Sequence, residues 1–158
     1  MATQARKQIE LVGDIEGAVY KPEASSQSFG AGEIVYLASG AVTVVAEDGV
    51  LMWGIAVEAA SGTTGTLIPI IPLTPLSLLS ICAYHATEAS AITAQTSDGL
   101  KYPLYRDTSK KFHMLKISTQ SNPAFVVYGI DSRDTVGDVY GRYLVKPLAA
   151  ALQINIGA

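Results

Sequence analysis

The chain has 158 residues, 49% of them hydrophobic and 16% charged, with a net charge of −3. That length makes one ordinary domain around one core, and its charge content, against the ~25% usual for soluble domains, leaves much of the surface small, neutral or apolar. The acidic total makes a poor general nucleic-acid binder, the single cysteine excludes an intrachain disulfide, and no apolar run reaches the ~20 residues of a membrane-spanning helix.

Residues 1–28 have no sustained period and read as an extended N-terminal arm, with 29–158 as the folded domain. Arg6 and Lys7 are followed by a polar stretch rather than an apolar h-region, so no signal peptide is expected and the protein is expected to be made in a cytoplasm. Ile9, Leu11, Val12 and Tyr20 are apolar residues that a free tail lacks and that an anchored arm needs.

The next stretch is a β-meander with its turns written in. Segments 33–38, 41–46 and 50–57 are rich in Val, Ile, Tyr and Trp, and Ser39-Gly40 and Glu47-Asp48-Gly49 between them tolerate positive φ. Three prolines, at 69, 72 and 75, then argue for edge strands or extended backbone, because proline cannot donate to a central ladder. Segment 76–86 is read as a buried strand, 91–96 and 100–104 as a hairpin about Ser97-Asp98-Gly99, and 112–118 and 124–130 as two strands separated by turn chemistry. Strand 143–146 is stopped by Pro147, and 148–156 ends as a strand or a short Ala-rich turn. The fold expected is all-β: a single β-barrel, jelly-roll or β-tulip-like domain behind an arm.

Charge is sorted along the chain. Between Lys21 and Lys101 there are seven acids and no base, whereas from Lys101 onward eight bases face four acids. Two readings follow: the blocks pair within one domain, or they form separate faces that recognise neighbours by complementary potential.

Two patches resemble a known family. FGAGEIVYLASGAVTVVAEDGVLMWGIAVE, from residue 29, and DSRDTVGDVYGRYLVKPL, residues 131–148, resemble the head decoration, or cement, proteins of tailed bacteriophages. The resemblance implies a structural virion protein on the outer capsid surface, commonly a trimer, that binds the major capsid protein and stabilises the expanded head. Arg6, Lys7, Ile9, Leu11, Val12 and Tyr20 are then the expected contacts to the capsid or a neighbouring subunit. The alternatives are another β-rich virion component (tail, spike or minor capsid protein) or a host- or glycan-binding module, for which Trp53 and the tyrosines would share one exposed rim.

Catalytic chemistry is sparse. Cys82 and His85 are the one short-spaced nucleophile–base pair, and in a strand they face opposite sides. Asp131, Asp134 and Asp138 offer oxygen ligands without the alternating spacing of an EF-hand, and Arg133 and Arg142 are at hand to pair with them. Gly30-x-Gly32 lacks a following helix. Lys110, Lys111, Phe112 and His113, with Tyr102, Tyr105 and Arg106, make a mildly basic aromatic patch. No enzyme activity, cofactor, metal, nucleic acid or membrane partner is expected.

Overall fold

The structure is a computed structural model that describes residues 2–13 and 17–154. It is all-β, with twelve strands and three single-turn 3₁₀ helices among the described residues. The strands are β1 (Glu10–Gly13), β2 (Val19–Pro22), β3 (Ile34–Ala38), β4 (Ala41–Val44), β5 (Gly54–Ala56), β6 (Leu67–Pro72), β7 (Leu78–Tyr84), β8 (Lys101–Tyr102), β9 (Leu104–Asp107), β10 (Phe112–Lys116), β11 (Phe125–Ile130) and β12 (Arg142–Pro147).

The larger sheet runs β8-β11-β12-β7-β10-β9, and β1 pairs with the end of β7 that β10 leaves free. Its two edge strands are consecutive in sequence, with only Pro103 between them, so the sheet curls into a nearly closed barrel. Alternation then points Leu79, Ile81, Ala83, Leu104, Leu115, Phe125, Val127, Tyr143 and Val145 into one core. The outward residues of the same strands, Cys82, Phe112 and Met114, are covered by Ala91 and Tyr140 from the loops.

The smaller sheet runs β2-β6-β5-β3-β4 and curls on itself, closed by a bridge from Glu23 to Val42. Phe29, Val35, Val42, Ala56, Ile68 and Ile70 fill its inside, while Ile34 and Ile55 on its outer face join the core of the barrel. Gly54 has no room for a side chain, since a Cβ there would meet the Ile71 carbonyl and the Ile70 side chain.

The meander forms as its turns demand. Ser39 and Gly40 have φ of 48° and 81°, and Asp48 has 58°. The 50–57 strand shortens to β5, because Met52 leaves the sheet to bridge Leu152 at the other end of the chain.

The proline segment departs from expectation: β6 lies between β2 and β5 rather than at an edge. Both prolines sit where the ladder needs no donor. Pro69 accepts from Val57 N–H (2.9 Å) just past the end of β5, and Pro72 lies beyond the last residue paired with β2. Pro75 sits inside a turn closed by Ser77 N–H on the Thr74 carbonyl at 3.0 Å.

The hairpin about 97–99 also differs. Gly99 makes the turn with φ 80°, but Gln95–Ser97 is a 3₁₀ turn and Ile92 makes only a single bridge, to Val139. Pro103 splits 100–104 into β8 and β9, which sends them to opposite edges of the sheet. At the C-terminal end, Ala149–Ala151 forms a 3₁₀ turn.

Candidate interaction surface and buried polar clusters

The six residues expected to contact a neighbour do not behave as a set. Ile9 is 6% exposed and packs in the chain's own core, with Leu11 half-buried against it. The Arg6 guanidinium lies 4.4 Å over the Tyr140 ring, donates to the Tyr140 hydroxyl and sits 3.6 Å from Asp107. Lys7 is exposed at its side chain, while its backbone N–H donates to Cys82 Sγ at 3.4 Å. Val12 and Tyr20 remain exposed, at 48% and 62%. The described part of segment 1–28 is therefore woven into both sheets through β1 and β2, and Arg6, Ile9 and Leu11 are spent on the body of the same chain.

Tyr20 nevertheless belongs to a surface feature that sequence patterning did not disclose. It stands opposite Pro69 in the β2–β6 ladder, and Leu67, two residues earlier in β6, shares that face. Ala56 pairs Ile70, so the next position sets Val57 opposite Pro69 on the same face. Leu67 is 59% exposed and Val57 44%. Three large apolar side chains thus crowd one corner of the small sheet's outer face, past the part that Ile34 and Ile55 bury against the barrel.

Three of the seven middle-block acids pair with tail bases. Arg106 holds Glu33 through two hydrogen bonds of 2.8 and 3.0 Å, and Lys116 lies 2.9 Å from both Glu47 and Asp48. Middle-block acids thereby meet tail bases across the junction of the two sheets. Arg133 binds Asp131 and Glu10, and Arg142 binds Asp134.

The Glu33–Arg106 pair is part of a buried cluster. Glu33 and His113 are fully buried, and their side chains approach to 3.9 Å. Ile34 N–H donates to His113 Nδ1 at 3.1 Å, and Nε2–H donates to the Val45 carbonyl at 2.8 Å, a pattern only the neutral ring satisfies. Burial, partly opposed by the Val45 hydrogen bond and the nearby Glu33 charge, pushes the His113 pKa from 6.5 down to about 4. The basic aromatic patch expected around this residue does not assemble. His113 and Tyr102 turn into the core, Arg106 is committed to Glu33, and the Tyr105 ring stacks on Tyr84 with centroids 3.4 Å apart.

Cys82 and His85 do not meet. Cys82 is buried, which pushes its thiol pKa up, whereas His85 lies past the end of β7 and accepts from Thr87 N–H. Each of the three aspartates after β11 has protein donors. Asp131 takes Ser80 Oγ–H and Arg133, and Asp134 takes Arg142, each carboxyl being held below its ordinary range first by the arginine. Asp138 takes the backbone N–H groups of Thr135 and Ala2 and the Gln4 amide, and its pKa falls to about 2 with the Thr135 N–H as the leading cause.

Trp53 is half-buried with the Lys21 ammonium 5.5 Å from its ring, and exposed Tyr128 on the other sheet lies under Lys146 at 4.6 Å. Trp53 and Tyr128 thus belong to different sheets. Gly30 lies against Lys111, and its N–H donates to Glu33. No described helix is long and apolar enough to cross a membrane. A scan of protein-family models and searches of curated proteins and of solved structures returned no match for this chain.

Two kinds of residue escaped the sequence reading. Leu67 and Val57 carry no local signal that sets them apart from other strand residues, and only the limited reach of the opposing sheet leaves them bare. His113 carried a usable signal, since within Phe112–Lys116 it alternates in step with Leu115, which faces the core.

Proposed function

We propose that this chain is a structural virion protein that decorates the outer surface of a tailed-phage capsid, acts as a trimer, and cements neighbouring major capsid subunits in the expanded head. The observation that carries this reading is the exposed apolar corner where Tyr20, Leu67 and Val57 stand together on neighbouring strands. The residues on which the resemblance to decoration proteins rests supply the β3–β5 meander and the loop after β11. Burying one such side chain fully contributes ~1.5–3 kcal/mol, and three copies held together raise effective concentration enough for modest contacts to bind tightly. Of the residues first expected to make the contact, Tyr20, Val12 and Lys7 keep that role in this reading, and Leu67 and Val57 join them. Ile9, Leu11 and Arg6 serve the chain's own fold.

Co-sedimentation with expanded capsids that lack a decoration protein tests the reading. Truncation before Phe29 is a poor probe, because it removes β1 and β2 from their sheets. The better comparison is the intact chain against a Tyr20→Asp/Leu67→Asp variant. Binding by the intact chain, weakened about tenfold or more in the variant, is expected for loss of two buried anchors. No sedimentation of the intact chain sinks the proposal.

A further inference from the structure

Residues 2–7 reach the barrel without burying a large apolar side chain. They are exposed or half-buried, and among the described residues the first buried side chain is Ile9. Their attachments are polar. Ala2 N–H donates to Asp138 Oδ1 at 3.1 Å, and Gln4 Nε2–H donates to Asp138 Oδ2 at 3.0 Å. Thr3 bridges Val139 in parallel, with Gln4 N–H on the Val139 carbonyl at 2.7 Å and Val139 N–H on the Ala2 carbonyl at 2.9 Å. Arg6 then reaches Tyr140, and Lys7 N–H meets Cys82 Sγ.

The receiving side stands without them. Asp138 Oδ2 also accepts Thr135 N–H at 3.0 Å from its own loop, so the carboxylate stays oriented whether or not the segment is present. Turn bonds from Asp138 N–H to Thr135 and from Gly141 N–H to Asp138 hold that loop, and a side chain at Gly141 would press on Thr93 and on the Asp138 carbonyl. Detaching the segment breaks polar bonds that water can replace and bares Cys82 and Tyr140 without parting either sheet, so its opening costs less than global unfolding.

We propose that residues 2–7 form a detachable strap, hinged at the buried Ile9 and latched by the preoriented carboxylate of Asp138, which opens while both sheets remain folded and uncovers the floor formed by Cys82 and Tyr140. The strap is a conformational device of this fold and does not depend on the reading of its function.

Cys82 is the chain's only cysteine and lies directly beneath the strap, so its alkylation by iodoacetamide reports opening. Labelling is measured without denaturant, scaled to the rate of the unfolded chain, and compared with the global unfolding equilibrium from urea titration. The expected result is labelling well above what global unfolding permits. Asp138→Asn, which removes the charge and leaves one accepting oxygen where there were two, and Gln4→Ala, which alters the strap alone, should speed labelling ~5–30-fold and ~2–10-fold respectively, the latter with little shift in the urea midpoint. Trypsin should cut after Arg6 or Lys7 faster in the same two variants while the remainder stays whole. Labelling that tracks global unfolding in all three chains overturns the proposal, as does an unchanged rate in Gln4→Ala and Asp138→Asn.

Discussion

The junction between the two sheets and the N-terminal strap are both held by a carboxylate, yet they fail in different ways. At the junction, Glu33 is fully buried and bound by Arg106, a side chain 14% exposed, beside a neutral buried histidine. In the strap, Asp138 receives donors from residues that are themselves exposed or half-buried. The first cannot be undone without leaving a charge in an apolar place, so its loss is a loss of the whole fold. The second exchanges protein partners for water, so its loss is local. Position relative to solvent, rather than the kind of bond, decides which.

The contrast breaks most clearly at Glu33. Glu33→Ala strands the Arg106 guanidinium and should cost about 3–5 kcal/mol, the range for removing one member of a buried pair; the urea midpoint measures it, and a loss under 1 kcal/mol would show the junction to be as loosely held as the strap. Next comes acid. His113 has its folded pKa lowered from 6.5 to about 4, so the unfolded chain binds the extra proton between those values. Stability from this group is full above pH 6.5, falls as pH drops toward 4, and is flat below. The fall is ~3 kcal/mol at 1.36 kcal/mol per unit, and denaturant midpoints across pH 7 to 4 should flatten in His113→Gln, whatever that variant's overall stability.

A smaller effect is expected inside the small sheet. Gly54→Ala forces a methyl against Ile70 and Ile71 and should cost about 1–3 kcal/mol by overpacking, read from the thermal midpoint. The smallest belongs to the bare corner: Tyr20→Ser or Leu67→Ser should move stability by less than about 0.5 kcal/mol. A larger loss there would mean that the corner serves the fold instead of a partner.

Much of the local structure was legible in the residues. The Ser39-Gly40 and Asp48 turns took positive φ as their residue types allow, and β7, β10, β11 and β12 formed within a few residues of where β-branched and aromatic runs placed them. The prolines of β6 were read correctly for what they lack and wrongly for where they lie, since a missing N–H excludes a bond and not a neighbour. Glu33 and Arg106 are 73 residues apart, and nothing near either one names the other.

Sequence alone determined that this chain folds as strands joined by tight turns, because residue type sets backbone preference within a few positions. It also determined which side chains share a face, because a strand alternates. Only the tertiary structure decided what covers each face. It buried Ile9 in the chain's own core, paired Glu33, Glu47 and Asp48 with Arg106 and Lys116, and left Tyr20, Leu67 and Val57 bare where the opposing sheet ends. Coverage is a non-local property, fixed when two curved sheets meet, and no local pattern records how far one extends over the other.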